Sequence, residues 1–428
     1  MKPVINIVEL FSGIGSQAKA FEKLAKKRNL NINVLKTCEW DVHAIVAYDY
    51  IHNGPTLDKR TLELKREDLL RKLKKLSLSN DGKKPMKLKT LETYPTDVLR
   101  RIYSSILKTN NMISVKDVKG EDIPNDVTVM TYSFPCQDLS NVGALHGYNK
   151  GIDRDAHTRS GLLWEVERIL EERQQQNLDM PRFLLLENVT TLEAKRHSKN
   201  FDEWKKRLES LGYINQVNRL YAPDFGIPQN RKRLLMLSVY VGNNENFKRI
   251  VKKYFEEHNL NNHSYIETLN IKLQKLSKFL KLDYSNPIYL NEALLSQPND
   301  TASRKSIWEK NSKVLLEDGT MKKIVQTITT KQDRHPNSGN IYFNPNNNKS
   351  KYRFLTPREC FVLMGFDEKD YEKLSKNNFY ARKNSYFFSR DRIYKLAGNS
   401  IVVNMLEAIF EQAMDLNDIL YKQMNNNI

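Results

Sequence analysis

A cysteine directly after a proline stands at the end of an apolar run in the first half of the chain. The run is DVTVMTYSF, and Pro135 and Cys136 follow it at once. A buried strand of this kind brings the next residue to the carboxyl-terminal edge of a sheet, where ligands of open α/β sheets bind. The polar segment that follows leaves the thiol partly exposed, as a nucleophile requires. We predict that Cys136 is a nucleophile, although free cysteines are more often inert packing residues, as we expect Cys38 and Cys360 to be.

Acidic residues end two other apolar runs. Glu187 lies in LLLENV, and Glu39 lies in NVLKTCEW, where a carboxylate can accept hydrogen bonds from ribose hydroxyls. The sequence ELFSGIGSQAKAF adds Gly13 and Gly15, a pair that lets a ligand approach the start of a helix. We expect Phe11 and both glycines to converge with Glu39 in one crevice. Taken alone, the glycine pair is explained equally well as a simple strand–helix turn, and Glu39 as a surface acid.

A β-sheet is needed to bring these residues together, and the pattern of the first 240 residues predicts one. Short apolar runs alternate with helical patterns, which predicts a doubly wound α/β fold with a mostly parallel sheet. The predicted strands are VINIVELFSG, NVLKTCEW, DVTVMTYSF, PRFLLLENV and RLLMLSVYV, the last three of the buried parallel type. The predicted helices are SQAKAFEKLAKK, DVHAIVAYDYIH, GLLWEVERILEERQQQ and FDEWKKRLESLG.

The chain divides into two predicted domains. Residues 1–240 form the catalytic and cofactor-binding domain, with a lysine-rich insertion at 55–111. We expect that insertion to be a solvated surface excursion, with a phosphate-contacting lobe as the alternative. Residues 241–389 lose the strand–helix alternation and form a second, smaller, irregular domain. Residues 390–428 return to the first domain through an amphipathic helix.

Charge and cysteine usage limit the class of protein. The 428 residues carry a formal net charge of +18, which suggests a polyanionic partner, nucleic acid first. Surface lysine that only maintains solubility explains the charge nearly as well. Three widely spaced cysteines argue against a disulfide framework. No apolar run is long enough to cross a bilayer, and the N-terminus does not resemble a signal peptide. We expect a soluble intracellular protein with no membrane association.

Six motifs together resemble one enzyme family. In chain order they are ELFSGIG, SFPCQ, LLLENV, GIPQNRKR, FLTPRECFVLMGF and GNSIVVN. Their order and spacing are similar to those of the bacterial C5-cytosine-specific DNA methyltransferases, over nearly the whole chain outside 55–111 and 241–325. The resemblance implies an S-adenosylmethionine-dependent methyltransferase fold, with 241–389 as the target-recognition domain. It also implies methyl transfer from S-adenosyl-L-methionine to carbon 5 of a flipped-out cytosine in a short specific double-stranded DNA sequence.

The resemblance gives the predicted catalytic residues their roles. The thiolate of Cys136 would add to carbon 6 of cytosine, which turns carbon 5 into a nucleophile. Glu187 would hold the Watson–Crick edge of the base at N3. Arg233 would touch the cytosine, and Arg231 would support it. The two arginines alternate at the start of a predicted strand and would share one face.

The resemblance also names a methyl-donor site. Phe11 would stack on the adenine, Glu39 and Trp40 would hold the ribose and adenine, and Asp117 would bind the adenine amino group. An acidic and aromatic pocket suits the positive sulfonium of the donor. The other predicted donor-binding residues are Gly13, Gly15, Pro135, Leu163, Asn399 and Ser400. We expect no metal ion.

Predicted DNA contacts come from three places. The polar loop 137–159 would close over the extruded base, with Gln137 and Ser140 contacting the DNA. Gln229 belongs to GIPQNRKR. Lys331 and Arg334 lie in QTITTKQDRHPNSGNIYF, a segment rich in side chains that can read base edges or phosphates.

Two alternatives stay open. One is an RNA (tRNA) C5-cytosine methyltransferase, which the long variable region and the missing Cys-Phe-Thr signature of that branch oppose. The other is a catalytically silent DNA-binding regulator, which the intact set of motif residues opposes. We expect the modification enzyme of a restriction–modification system with a cognate restriction endonuclease, although a solitary epigenetic enzyme is equally allowed. We further expect a monomer in the bacterial cytoplasm, acting on nucleoid DNA.

Overall fold

The computed structural model describes residues 3–135, 139, 152 and 160–425, with the backbone alone described from 421 to 425. Two compact units are present. The first consists of Met1–Leu220, Lys232–Leu269 and Leu406–Ile428, and the second of Tyr221–Arg231 and Asn270–Met405. These boundaries differ from the predicted ones, because residues 241–269 belong to the first unit, and residues 221–231 and 390–405 belong to the second. The assignment of target recognition to 241–389 stays a prediction.

A six-stranded sheet forms the centre of the first unit. Its strands are β1 (Val4–Leu10), β2 (Asn31–Cys38), β3 (Val129–Tyr132), β4 (Phe183–Asn188), β5 (Tyr213–Tyr221) and β7 (Lys232–Tyr240), whereas the short β6 (Gln229–Asn230) belongs to the second unit. The order is β2-β1-β3-β4-β7-β5. β1 pairs in parallel with both β2 and β3, and β3 pairs in parallel with β4. The predicted mostly parallel α/β fold is confirmed.

The strand RLLMLSVYV runs in the opposite direction from the one predicted. β7 pairs antiparallel with β4, and Glu187 stands opposite Leu235. Residues 234–239 of β7 are buried throughout, like all of β4. A strand covered on both faces reads as continuously apolar whichever way it runs, so the sequence pattern does not reveal its direction.

Helices accompany the sheet. They are α1 (Ser16–Arg28), α2 (Val42–His52), α3 (Arg66–Leu73), α4 (Leu88–Glu92), α5 (Thr96–Lys108), α6 (Leu163–Gln175), α7 (Lys195–Ser210), α8 (Glu245–Glu257) and α9 (His263–Thr268). α1 shows why such helices form. It buries Phe21 and Leu24 on one face, and Lys26, Lys27 and Arg28 in its last turn complement the helix dipole.

The lysine-rich insertion is packed more closely than predicted. Its helix α5 lies against α2, and the Ser105 hydroxyl donates to Asp49 Oδ2 at 2.9 Å. Val98, Leu99 and Ile102 of α5 are buried in the apolar interior. The prediction of a surface excursion is therefore wrong for α5. The prediction holds for the lysines around α3 and α4, because their side chains are mostly exposed to solvent.

The second unit is built from short elements. Its helices are α10 (Pro287–Leu295), α11 (Ala302–Glu309), α12 (Pro357–Leu363), α13 (Glu368–Lys376), α14 (Arg390–Asn399) and the first residues of α15 (Val403–Asn425). Its further strands are β8 (Lys313–Leu315), β9 (Val325–Gln326), β10 (Asn340–Tyr342), β11 (Tyr352–Phe354), β12 (Tyr380–Arg382) and β13 (Ser385–Tyr386). They form sheets ordered β11-β10-β8, β12-β13 and β6-β9. Strands of two or three residues are too short for an alternating pattern to reveal.

A buried ion pair lies in the second unit. Arg353 Nη1 and Nη2 donate to Glu359 Oε2 and Oε1 at 2.9 and 2.8 Å, and both side chains are fully buried. Glu359 Oε2 also accepts the N–H of Thr356 at 2.7 Å, in the capping box that begins α12. Within the described part of the chain, no helix has the length and apolar character needed to cross a membrane.

Candidate active site

The turn after β1 has a constrained backbone. Phe11, Gly13 and Gly15 have φ angles of 57°, 55° and 79°, in the left-handed region that costs a phenylalanine energy. The N–H of Ser12 donates to the carbonyl of Cys38 at the end of β2 at 3.1 Å. The turn is thereby fixed at the carboxyl-terminal edge of the sheet. Strain of this kind is typical of functional sites.

The two glycines of this turn have different purposes. A Cβ at Gly15 would lie 2.2 Å from His52 Nε2 and 2.7 Å from Tyr48 Cε2, because α2 packs against it. A Cβ at Gly13 would meet nothing within 4 Å. The N–H of Gly13 donates to Glu39 Oε2 at 3.1 Å. Gly15 is therefore required by internal packing, whereas the space beside Gly13 can admit a ligand.

Glu39 is surrounded by backbone donors. Its Oε1 accepts the N–H groups of Trp40 and Asp41 at 2.8 Å each, and Oε2 accepts that of Gly13. Asn111 holds its backbone through two hydrogen bonds of 3.0 and 3.1 Å. Burial raises the pKa of Glu39 to about 7, helped by Asp41 and opposed by the backbone donors. A carboxylate has about four acceptor positions, so about one remains for a ligand hydroxyl.

The lysine-rich insertion 55–111 holds the backbone around Trp40 through Ser79. The Trp40 carbonyl accepts the N–H of Ser79 at 2.7 Å, and the Ser79 carbonyl accepts the N–H of Val42 at 3.0 Å. Ser79 is fully buried, and its hydroxyl donates to the Lys84 carbonyl at 2.6 Å. No pattern of residue types in the insertion indicated this contact. The insertion thus contacts the backbone on both sides of Asp41, next to the half-buried indole predicted to bind adenine.

A buried acid that the sequence analysis missed lies beside the turn. Glu9 is 0% exposed, accepts the N–H of Ala18 at 2.9 Å and accepts a hydrogen bond from the Tyr48 hydroxyl. Burial raises its pKa to about 7. Glu9 therefore joins β1, α1 and α2 around the turn. An acid inside the apolar run VINIVEL was the available signal.

Asp117 and Leu163, both predicted to bind the methyl donor, differ in their exposure to solvent. Asp117 is exposed, and Arg168 of α6 supports its segment by donating to the carbonyls of Val115 and Val118 at 3.3 and 2.7 Å. Leu163 is 0% exposed and packs in the apolar core. The side chain of Leu163 is enclosed by protein, and its packing near the donor stays a prediction. Asp117 is accessible to a ligand.

The chain is anchored up to the predicted nucleophile. Asn188 Nδ2 donates to the Phe134 carbonyl at 3.1 Å, and the Ser160 hydroxyl donates to the Pro135 carbonyl at 2.6 Å. These bonds fix the segment after β3 beside the end of β4. Three predicted site residues, Cys136, Gln137 and Ser140, lie outside the described residues.

Two predicted catalytic residues meet at the end of β4. Arg233 Nε lies 3.2 Å from Glu187 Oε1, and the two side chains are 15% and 11% exposed. They come from the paired strands β7 and β4. Arg233 Nη1 also donates to the Lys232 carbonyl at 2.7 Å. The pair places a carboxylate and a guanidinium together at the sheet edge, with limited exposure to solvent.

Arg231 has other partners. It lies in the break between β6 and β7 and belongs to the second unit. Its Nη1 donates to the Ile328 carbonyl at 3.1 Å and its Nη2 to the Ser400 carbonyl at 2.7 Å. The prediction that Arg231 and Arg233 share a strand face is not supported, since the alternation of a strand does not apply across this break. The supporting role of Arg231 stays a prediction.

Gln229 is not placed to bind DNA. It is 0% exposed, its Nε2 donates to the Leu363 carbonyl at 2.8 Å, and its Oε1 accepts the N–H of Ile328 at 2.9 Å. The predicted DNA contact is therefore not supported, because the amide is enclosed and satisfied by backbone. Gln229 instead fixes the segment that follows β9.

Asn399 and Ser400 belong to the second unit. Asn399 is exposed as the last residue of α14, whereas Ser400 is buried, with its hydroxyl donating to the Leu396 carbonyl at 2.8 Å. An exposed amide can contact a ligand directly. The hydroxyl of Ser400 is engaged by its own helix, so a donor contact through it is not supported.

Lys331 and Arg334 are exposed, as DNA-contacting side chains must be. The loop that carries them is built on buried amides. Asn337 Nδ2 donates to the Gln332 carbonyl at 2.9 Å, and Asn311 Oδ1 accepts the N–H of Asn337 at 3.0 Å. These contacts give both cations a fixed support, and their contact with DNA stays a prediction.

The other two cysteines are packing residues, as predicted. Cys38 and Cys360 are 2% and 0% exposed. Burial raises the pKa of both thiols well above the ordinary value, so both stay protonated at neutral pH. Neither can act as a thiolate nucleophile.

Comparison with known proteins gives consistent results. Residues 94–415 match the family model of the C-5 cytosine-specific DNA methylases. Orphan methyltransferase M.SssI of Spiroplasma monobiae is 30% identical over 423 residues, which cover 95% of this chain and 97% of the relative. Type II methyltransferase M2.ScrFI of Lactococcus lactis subsp. cremoris is 28% identical over 414 residues, which cover 96% and 99%.

Solved structures show the same fold. S. pombe Dnmt2 methyltransferase aligns with a TM-score of 0.55 and 15% identity over 96% of this chain and 98% of its own. Entamoeba histolytica methyltransferase EhMeth aligns with a TM-score of 0.56 and 15% identity over 97% and 99%. The family match spans most of the sequence, and the Glu187–Arg233 pair lies at the sheet edge where the motifs place it. The chain therefore belongs to the C-5 cytosine-specific DNA methylase family.

Proposed function

We propose that this C5-cytosine DNA methyltransferase modifies a flipped-out cytosine in a short specific duplex sequence, with S-adenosyl-L-methionine as methyl donor and Cys136 as nucleophile. The observation that carries the proposal is the Glu187–Arg233 pair at the end of β4. It lies next to Asn188, which anchors the segment that leads to Cys136. A carboxylate and a guanidinium in this position suit the polar edge of a pyrimidine.

The Glu187–Arg233 pair keeps a hydrogen-bond donor that can contact a base. Arg233 uses Nε toward Glu187 and Nη1 toward the Lys232 carbonyl, which leaves Nη2 to donate to an acceptor on the cytosine. The carboxyl of Glu187 faces the N3 side of the ring in this arrangement. Because both groups are largely shielded from water, their interaction with the base is stronger than it would be on an open surface.

Methyl transfer to carbon 5 needs a thiolate nucleophile and a cytosine fixed in position. Attack by the Cys136 thiolate forms an S–C6 bond and moves an electron pair toward C5, while the group at N3 stabilises the ring. C5 would then form a bond with the methyl carbon as the bond from that carbon to the sulfonium sulfur breaks, with a neutral thioether as the leaving group. Transfer of the C5 proton to water and cleavage of the S–C6 bond would restore the aromatic ring and the thiolate. No residue other than Cys136 needs to form a covalent bond.

The turn after β1 fits the methyl donor. The open space at Gly13, the remaining acceptor position of Glu39 and the half-buried rings of Phe11 and Trp40 form a small cradle at the sheet edge. The donor supplies a methyl group made electrophilic by its sulfonium. In this cradle Glu39 binds a ribose hydroxyl, and the rings cover the adenine.

The target base has to leave the duplex to reach these groups. We propose that residues 241–389 read the surrounding sequence. The loop 137–159, predicted to close over the base, lies outside the described residues except for 139 and 152. The curated relatives are named both as an orphan and as a type II enzyme. We propose a modification enzyme of a restriction–modification system, and detection of a cognate endonuclease in the same genome separates it from a solitary enzyme.

A covalent trap tests the mechanism. The substrate is a long duplex in which 5-fluorocytosine replaces cytosine, so that every possible target sequence is included. Because the fluorine at C5 cannot leave as a proton does, the S–C6 bond persists after methyl transfer. Wild-type protein should gain the mass of the DNA in denaturing electrophoresis, and Cys136→Ser should not.

Matched variants make the trap informative. Glu187→Gln should slow adduct formation by about 100-fold or more, as expected for loss of a proton-handling group. Glu193→Gln is the control, because among the described residues Glu193 pairs with Arg219 alone, near the surface. An adduct in Cys136→Ser would contradict the assignment of the nucleophile. An adduct with substituted RNA but not with DNA would favour the RNA enzyme.

A further inference from the structure

A hairpin in the second unit presents two stacked tyrosines to solvent. β12 and β13 pair antiparallel, with Tyr380 opposite Tyr386. Their ring centroids lie 4.4 Å apart with an interplanar angle of 18°, yet the residues are 56% and 49% exposed. Paired tyrosines on a surface offer large, stiff contact area with hydroxyl groups at the tips. This arrangement is typical of a binding surface.

The hairpin stands on a rigid base. Phe387 and Phe388 are buried, and Phe379 stacks on Phe387 at 4.7 Å. Asn378 Oδ1 accepts the N–H groups of Phe379 and Phe388 at 3.0 Å each, and its Nδ2 donates to the Phe388 carbonyl at 2.9 Å. The tyrosines are therefore held in place before any partner arrives, which lowers the entropy cost of binding.

The surroundings are basic. Between Glu372 and Asp391 the sequence contains no acidic residue, whereas Lys383 lies in the hairpin turn and Arg390 begins α14. Both cations are exposed, and in the part of the chain that the structure describes no carboxylate lies within salt-bridge distance of either. Such a surface attracts a polyanion.

We propose that the tyrosine hairpin, residues 380–386 together with Arg390, binds the sugar–phosphate backbone of duplex DNA outside the recognised bases. The partner rests on the proposed function. The Tyr380 hydroxyl donates to that of Tyr386 at 3.1 Å, so the proton of Tyr386 is directed to an external acceptor such as a phosphate oxygen.

A second copy of the chain is the competing occupant. Two such hairpins would bring Lys383 and Arg390 of both copies together, and like charges across an interface oppose association. A DNA backbone instead takes up both cations and releases counterions. The charge therefore favours DNA.

The test compares DNA affinities as a function of salt. The probe is a duplex that carries the methylated site and extends about two helical turns, roughly 20 base pairs, on each side. Lys383→Glu/Arg390→Glu removes two phosphate contacts. We expect the slope of log Kd against log salt to fall by about 2, and Kd at physiological ionic strength to rise by about tenfold or more.

Two further variants separate the contributions. Tyr380→Phe/Tyr386→Phe keeps the stacked rings but removes the hydroxyls, so we expect about tenfold weaker binding with an unchanged salt slope. Lys252→Glu/Lys253→Glu on α8 makes the same change in net charge at other exposed lysines and should leave the slope at the wild-type value. Thermal unfolding checks that each variant is folded.

Three results would overturn the proposal. They are unchanged affinity in both hairpin variants, an equal loss in the α8 control, and a wild-type dimer in sedimentation that the hairpin variants abolish. The methylation assay is run on the same wild-type protein. Absence of methylation would count against the proposed function, whereas methylation with unaffected hairpin variants would count against the hairpin alone.

Discussion

Exchanging Gly15 and Gly13 for alanine should separate packing from donor binding. In Gly15→Ala the new Cβ would lie 2.2 Å from His52 Nε2 and 2.7 Å from Tyr48, at a φ of +79°. His52 cannot move away freely, because its Nε2 is hydrogen-bonded to the Ile14 carbonyl at 3.1 Å. The left-handed backbone costs about 1–2 kcal/mol, and forced overlap in a packed site adds about 1–3 kcal/mol. We expect Gly15→Ala to lower the free energy of unfolding by about 2–5 kcal/mol.

Gly13→Ala is the matched control in the same turn. Its φ is +55°, but its Cβ would meet nothing within 4 Å, so only the backbone cost of about 1–2 kcal/mol applies. Its methyl group would occupy the space assigned to the donor. We expect urea unfolding to show the larger loss in Gly15→Ala, and calorimetric titration with S-adenosylmethionine to show the larger loss of affinity in Gly13→Ala. Equal stabilities for the two variants would refute the packing argument, and full donor affinity in Gly13→Ala would refute the assignment of the cradle.

Three other predictions concern charge. The pKa of Glu9 lies at about 7 against an ordinary 4.5, so wild-type stability falls as pH rises through this window. Glu9→Gln should remove that loss, gaining up to about 3 kcal/mol at pH 8 and nothing near pH 4 in urea unfolding. Because the pKa of Glu39 is also about 7, donor affinity should strengthen as pH rises through 7, and calorimetry should show no such dependence in Glu39→Gln. Arg353→Met should cost about 3–5 kcal/mol by leaving the buried Glu359 unpaired, and Arg353→Met/Glu359→Leu should recover most of it in the same unfolding assay.

Much of the sheet could be predicted because its strands are long and apolar. β1, β2 and β4 were found in the sequence, and the residues at their ends, including Glu39 and Glu187, lie at the carboxyl-terminal edge as expected. The run of apolar residues shows where each strand lies and where it ends. Because parallel strands all end at the same edge of the sheet, the residues that follow them lie close together. The sequence analysis did not predict β5, because its residues YINQVNRLY are largely polar and only partly buried. The direction of β7 was also wrong, because a strand buried on both faces shows the same pattern in either direction.

The site was harder to predict where the backbone supplies the partners. Gln229 and Arg231 were read as surface and strand-face residues, yet both are buried and bind backbone groups of Ile328, about a hundred positions away in the sequence. Ser79 contacts Trp40 from inside a lysine-rich insertion in the same way. Such contacts depend on where loops meet, and no local pattern of residue types encodes that.

Bisulfite sequencing would show whether the protein methylates cytosine in duplex DNA. The protein is expressed in a bacterium that lacks cytosine methylation, and the chromosomal DNA is then converted and read. We expect protected cytosines confined to one short motif in the wild type and none with Cys136→Ser. Fully converted DNA from cells that contain folded, donor-binding wild-type protein would refute the proposed activity.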